Sequence, residues 1–194
     1  LMNKNSGSNA GILSQGSLEI GNVSQLDNIS GYIAAVGSAN ITAQNLNNNK
    51  GQINSQADLT LQQQAAGGGI DNLAGQIQAQ QNVTLNADTI NNSGTGSHIV
   101  AGEALSVTAN KVINAQTKDA TVIAGLDGKN IEINAAELDN QSGVIRATDN
   151  AALNIRNILS NQSGSISSLN ILSVGTADKT LNVNNTGGEL LAKN

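Results

Sequence analysis

Short apolar-polar alternations punctuate this chain: Leu18-Glu19-Ile20, Ile41-Thr42-Ala43, Leu59-Thr60-Leu61 and Val83-Thr84-Leu85. They continue as Leu105-Ser106-Val107, Ile131-Glu132-Ile133, Leu153-Asn154-Ile155 and Leu172-Ser173-Val174. A period of two is that of a strand whose outer residues face a core while the polar middle one faces solvent. Nowhere do apolar residues persist at i, i+3, i+4 and i+7 over the ~10 residues that a helix needs, so strands are predicted and helices are not.

Between these bursts a second pattern returns: LDNISGYI at 26–33, LNNNKGQI at 46–53, IDNLAGQI at 70–77, LDNQSGVI at 138–145, LSNQSGSI at 159–166 and VNNTGGEL at 183–190. A stretched version, INNSGTGSHI, lies at 90–99 and a blurred one, MNKNSGSN, at 2–9. Counted from the opening apolar residue, the units start at Met2, Leu26, Leu46, Ile70, Ile90, Val112, Leu138, Leu159 and Val183, at spacings of 20–26 residues. The unit at Val112 departs from the pattern, without the paired Asn or the glycine five residues on. Self-similarity at such a period marks a solenoid, in which each unit buries its apolar face only against its neighbours.

One coil can be assembled from these parts. The φxφ burst is one strand. The isoleucine of the phrase (Ile33, Ile53, Ile77, Ile145) centres a second, introduced by Gly31, Gly51, Gly75 and Gly143 at a position that needs either positive φ or close approach to a neighbouring coil. The opening Leu or Ile with its Asp-Asn or Asn-Asn forms a third, ending in a turn, because Asp and Asn bond their own backbone and tolerate left-handed conformations. Residues 1–194 therefore read as a single domain, an all-β parallel β-helix of about eight coils with three short strands each, roughly 40 Å long at ~4.8 Å per coil. The variable gaps, AAGGG before Ile70, GTGSH at 94–98 and the segment 115–130, fall at corners as loops.

Composition narrows the function. Charged residues are 12% of the chain, Tyr32 is its one aromatic, and thirty residues are Asn. The core must be built of narrow aliphatic layers with polar ladders and turns around it. Without proline, every backbone amide can pair between coils, and without cysteine there is neither disulfide nor thiolate chemistry. A net charge of −5 excludes the basic stripe that nucleic acid or an anionic membrane would require. No signal-peptide pattern opens the chain, and no apolar run approaches the ~20 residues of a spanning helix. The chain reads as an internal piece of a longer fibre, and its unpaired terminal strand edges predict end-to-end self-association.

Few residues offer chemistry. His98 is the only histidine, which rules out a two-histidine metal site; it is expected as a solvated residue of a glycine-flanked loop. Asp27, Asp71 and Asp139 share one repeat offset and could line one side of the rod as a cation site or glycosidase pair, but Asn47, Asn91 and Ser160 replace them elsewhere, as at a turn position. LDGKN at 126–130 resembles a single calcium-type turn, without the repeated nonapeptides of a β-roll. Arg146 and Arg156, ten residues apart in one unit, with Lys118 and Lys129 one unit earlier, are the candidate contacts for an acidic glycan or receptor. No catalytic residue, cofactor or metal site is expected.

The phrase LDNxxGxI with a following φxφ strand resembles the haemagglutinin repeats of filamentous haemagglutinin and of the contact-dependent growth inhibition toxins of Gram-negative bacteria, over nearly the whole chain; autotransporter passengers share the coil. The resemblance implies a right-handed coil and a long exoprotein of two-partner secretion, moved across the outer membrane by a dedicated transporter. It also implies a secreted, cell-surface location and a shaft that carries adhesive, virulence-associated or toxic regions toward a receptor or glycan on a host or bacterial cell. It supplies no catalytic residues. The alternative is that this segment itself binds or cleaves carbohydrate, through the Arg146 and Arg156 unit and the 115–130 loop.

Overall fold

The structure, a computed structural model, describes residues 1–194 apart from Ser8, Asn9, Ala65, Ala120 and Asn194. The excepted residues include parts of the blurred phrase at 2–9, of AAGGG and of the 115–130 segment. The described chain is a β-solenoid of about eight turns, without helix, whose strands pair in parallel with those one turn away.

One side is a nine-stranded sheet of the phrase's isoleucine strands. Ile12, Ile33, Ile53, Ile77, Ile99, Leu126, Ile145, Ile166 and Leu190 stand in one column along it. An eleven-stranded sheet holds the φxφ strands and the phrase openings. In that sheet Ile20, Ile41, Leu61, Leu85, Val107, Ile133, Leu153 and Val174 form a second column. Leu26, Leu46, Ile70, Ile90, Val112, Leu138, Leu159 and Val183 form a third. Residues of these columns from the inner coils are buried into one continuous aliphatic core. Each contributes about 1.5–3 kcal/mol, against 0–1 kcal/mol for a surface ion pair, so stacking dominates stability.

The three strands of a coil are not always separate. Ala104–Ile113, Asn130–Asp139 and Ala151–Ser160 each run through the corner as one bent strand, whereas Val83–Asn86 and Thr89–Asn91 stay distinct. Two bursts are displaced by two residues from the alternation read in the sequence. The stacked triads are 39–41 and 151–153, with Ala39 and Ala151 paired to Leu59 and Leu172. A two-residue shift keeps every side chain on its own face, so the alternation could not reveal it. At the N-terminal coil Met2 lies opposite Asp27 and Asn3 beneath Asn28, which makes Leu1 the equivalent of Leu26.

The repeated glycine is explained by close approach. Gly31, Gly51, Gly75, Gly143 and Gly164 do not have positive φ; the residues before them do, at 51° to 56° for Ser30, Lys50, Ala74, Ser142 and Ser163. A Cβ on Gly75 would lie 2.2 Å from the Asn48 carbonyl oxygen of the coil below, and one on Gly51 2.0 Å from that of Asn28. No side chain fits between the coils there.

The terminal coils expose apolar residues whose equivalents are buried inside the rod: Leu1 at one end, Val174 and Val183 at the other. These are the surfaces that end-to-end association would cover.

Candidate functional site

The feature that sets this interior apart is polar. Asn28, Asn48, Asn72, Asn92, Asn114, Asn140 and Asn161 have no solvent exposure. Each Nδ2 donates to the Oδ1 of the next, at 2.6–2.8 Å, from Asn3 at one end to Asn185 at the other. The same Nδ2 groups also donate to backbone carbonyls: Asn48 to Gly51 at 3.2 Å and Gln76 at 3.1 Å, Asn72 to Gly75 at 3.0 Å. Burying an amide without partners costs a few kcal/mol, and here every amide is saturated. The ladder therefore fixes the corner of each coil and the register between coils.

The residue before each ladder Asn points outward. Asn47, Asn91, Asp139 and Asn184 accept the backbone N–H two residues on, the Asx turn expected at this offset. Asp27 and Asp71 are separated by Asn47, and Asp71 and Asp139 by Asn91 and Ile113, so the three carboxylates do not meet. No group of three or more His, Cys, Asp or Glu suited to a metal occurs among the described residues.

On the outer face of the nine-stranded sheet, three consecutive coils contribute a charged cluster. His98, in the strand His98–Ala101, places Nε2 2.6 Å from Asp127 Oδ2; Arg146, in Val144–Ala147, donates Nε to Oδ1 and Nη2 to Oδ2, each at 2.6 Å. Burial alone would raise the Asp127 carboxyl, but the bonds and charges from His98 and Arg146 outweigh it and hold the group below its ordinary value. His98 is thus a strand residue with 18% side-chain exposure and a carboxylate partner, not a solvated loop residue. The LDGKN segment is likewise not a calcium turn. Gly125–Gly128 is a strand, and Leu126 is buried between Ile99 and Ile145.

The segment that leaves the stack is shorter than 115–130. It departs after Lys118, whose N–H still donates to the Ser142 carbonyl at 2.9 Å, and returns at Gly125, whose N–H donates to the Ser97 carbonyl at 2.8 Å. Its described part exposes Val122 and Ile123.

The four candidate cations are not brought together. Arg146 is committed to Asp127, Lys129 pairs with Glu103 at 3.0 Å, and exposed Lys118 lies 3.5 Å from the Ser163 carbonyl. Arg156 stands elsewhere, at the corner of the eleven-stranded sheet, and lines a trough of about 420 Å³. Gln64 and Ala66 stand at the other end of that trough, with Ala87, Asp88 and Asn110 between. A bulge turns Arg156 into this position: between Ala135 and Glu137 the paired strand gains a residue, so Arg156 and Asn157 oppose Ala136 alone.

No protein-family model, curated protein or solved structure matches this chain. Composition predicted polar ladders, but sequence reasoning assigned this asparagine to a turn, although the signal for its buried ladder was present. The third residue of every unit from Leu26 onward is Asn, while the second varies among Asp, Asn, Ile and Ser. The Asp127 cluster left no such trace, because its members, 29 and 19 residues apart, meet only once the length of the insertion is known.

Proposed function

We propose that this chain is a section of the shaft of a secreted, surface-exposed exoprotein of the filamentous haemagglutinin and contact-dependent growth inhibition type, which holds an adhesive or toxin-delivering region away from the producing cell. The observation that carries the reading is the amide ladder, unbroken from Asn3 to Asn185 beside continuous aliphatic columns. A rod stabilised equally along its length is suited to span distance and to bear load. Outward positions are mostly short and polar, as befits a spacer. On this reading the partners of the parent protein are a dedicated outer-membrane transporter and, at a remote tip, a receptor or glycan on another cell.

The test is surface labelling of intact producing bacteria with antibody raised against residues 1–194. Labelling that is lost when the cognate transporter is deleted is the expected result. Signal that appears only after permeabilisation would sink the proposal.

A further inference from the structure

We infer that the corner trough ending at Arg156 is a binding site for an acidic oligosaccharide. Arg146, Lys4, Lys111 and Lys129 each have a carboxylate partner. Arg156 has none among the described residues, and it is the cation that lines the trough. A bulge aims it there, and the intervening corner residue, Ala136, has only a methyl group to place in the path back toward Asn110.

The remainder of the surface matches a sugar chain. Buried Ala87 and Ala109 give an apolar floor for the C–H face of a sugar ring. Asn86 and the second N–H and the carbonyl of Gln64, whose Nε2 also donates to Asn22, offer partners for hydroxyls. Asn110 donates its Nδ2 to the lining Asp88 carboxylate, which leaves the charge of Arg156 at the far end for the acidic group. An unpaired guanidinium offers a planar fork to a carboxylate or sulfate. The site spans the coils of Gln63 and Arg156, four spacings of about 4.8 Å, which is room for an oligosaccharide rather than a single sugar. An extended acidic peptide fits less well, since it would need free main-chain groups. The amides of Gln64, Ala87 and Asn110 are already bonded to the carbonyls of Ala43, Thr108 and Asp88.

The site is independent of the shaft reading, because it is tested on the purified chain. Isothermal titration would compare a panel of carboxylated and sulfated hexasaccharides, including hexagalacturonate, with neutral maltohexaose and with hexaglutamate. Saturable binding of at least one acidic hexasaccharide is expected, weakened at least about tenfold by Arg156→Gln, which removes the charged bidentate contact, and unchanged by Arg146→Gln on the other sheet. Circular dichroism establishes that both variants are folded. Equal binding by Arg156→Gln, binding of maltohexaose or hexaglutamate as tight as that of the acidic sugar, or no heat with any panel member would each overturn the assignment.

Discussion

The coils opened by Ile70 and Val112 meet the same corner requirement with different residues. In the first, Ala74 takes positive φ, and the N–H of Gly75 donates to the Asn72 carbonyl at 3.2 Å. In the second, Gln116 takes the same left-handed conformation, but Thr117 stands in the glycine's place; its hydroxyl donates to the Asn114 carbonyl at 3.3 Å and accepts the Val144 N–H at 3.0 Å. A side chain is tolerated there because the chain leaves the stack one residue later, after Lys118, and re-enters it at Gly125, a residue with φ of 104° whose Cβ would meet the Val144 carbonyl. The buried asparagine is common to both. The corner thus requires its amide, and it requires glycine only where the next strand follows without interruption.

Replacing that amide should have the largest effect. Asn72→Ala leaves the Asn92 Oδ1 without its ladder donor and takes one acceptor from the Asn48 Nδ2, which keeps its backbone carbonyls; Asn114→Ala does the same to Asn140 and Asn92. At about 1–3 kcal/mol for a buried group left without its partner, plus the lost bonds of the removed amide, both should lose roughly 2–4 kcal/mol. Midpoints in urea would measure this, and a much smaller loss for Asn114→Ala would mean that the inserted coil does not depend on the ladder. Gly75→Ala, forced against the Asn48 carbonyl, should cost about 2–3 kcal/mol. Thr117→Val fills the same volume but leaves the Val144 N–H unbonded, for about 1–2 kcal/mol. If Thr117→Val were neutral by the same assay, the hydroxyl would not be the substitute described here.

The smallest effect is electrostatic and confined to the insertion side. Asp127 titrates below its ordinary 3.8 in the folded chain, so it binds a proton less readily there than when unfolded. Its contribution is present above that ordinary value and is lost as pH falls through the lowered one. Thermal melts of wild type and Asp127→Asn should therefore differ at neutral pH and converge below about pH 4. A gap that persists undiminished at pH 3 would show that its origin is not the carboxylate's charge.

Most of the architecture was legible in the sequence, because period-two alternation and a repeat near 22 residues leave little choice but stacked parallel strands. The stacking register was less so. The inward set at Leu59 and Leu61 was read directly, whereas Ala39 and Ala151 went unread because alanine does not stand out as a core residue. The ladder was hidden by chemistry: an Asn after an Asp looks like a turn, and the Asx turn is indeed made, but by the first of the pair. The candidate site was least legible. Arg146 and Arg156 are neighbours in sequence, yet a strand pairing and a bulge send them to different sheets, one to a carboxylate and one to the trough.

Every amide in the ladder points its N–H the same way, from each coil to the one that follows it in sequence. A finished coil therefore presents to the next arrival a row of directed donors together with an open strand edge, a template that accepts a successor in one orientation only. Growth on such a template needs only the most recent coil and no distant part of the chain. A polypeptide built this way can become ordered from one end before its remaining coils are in place, and each added coil makes that order harder to undo.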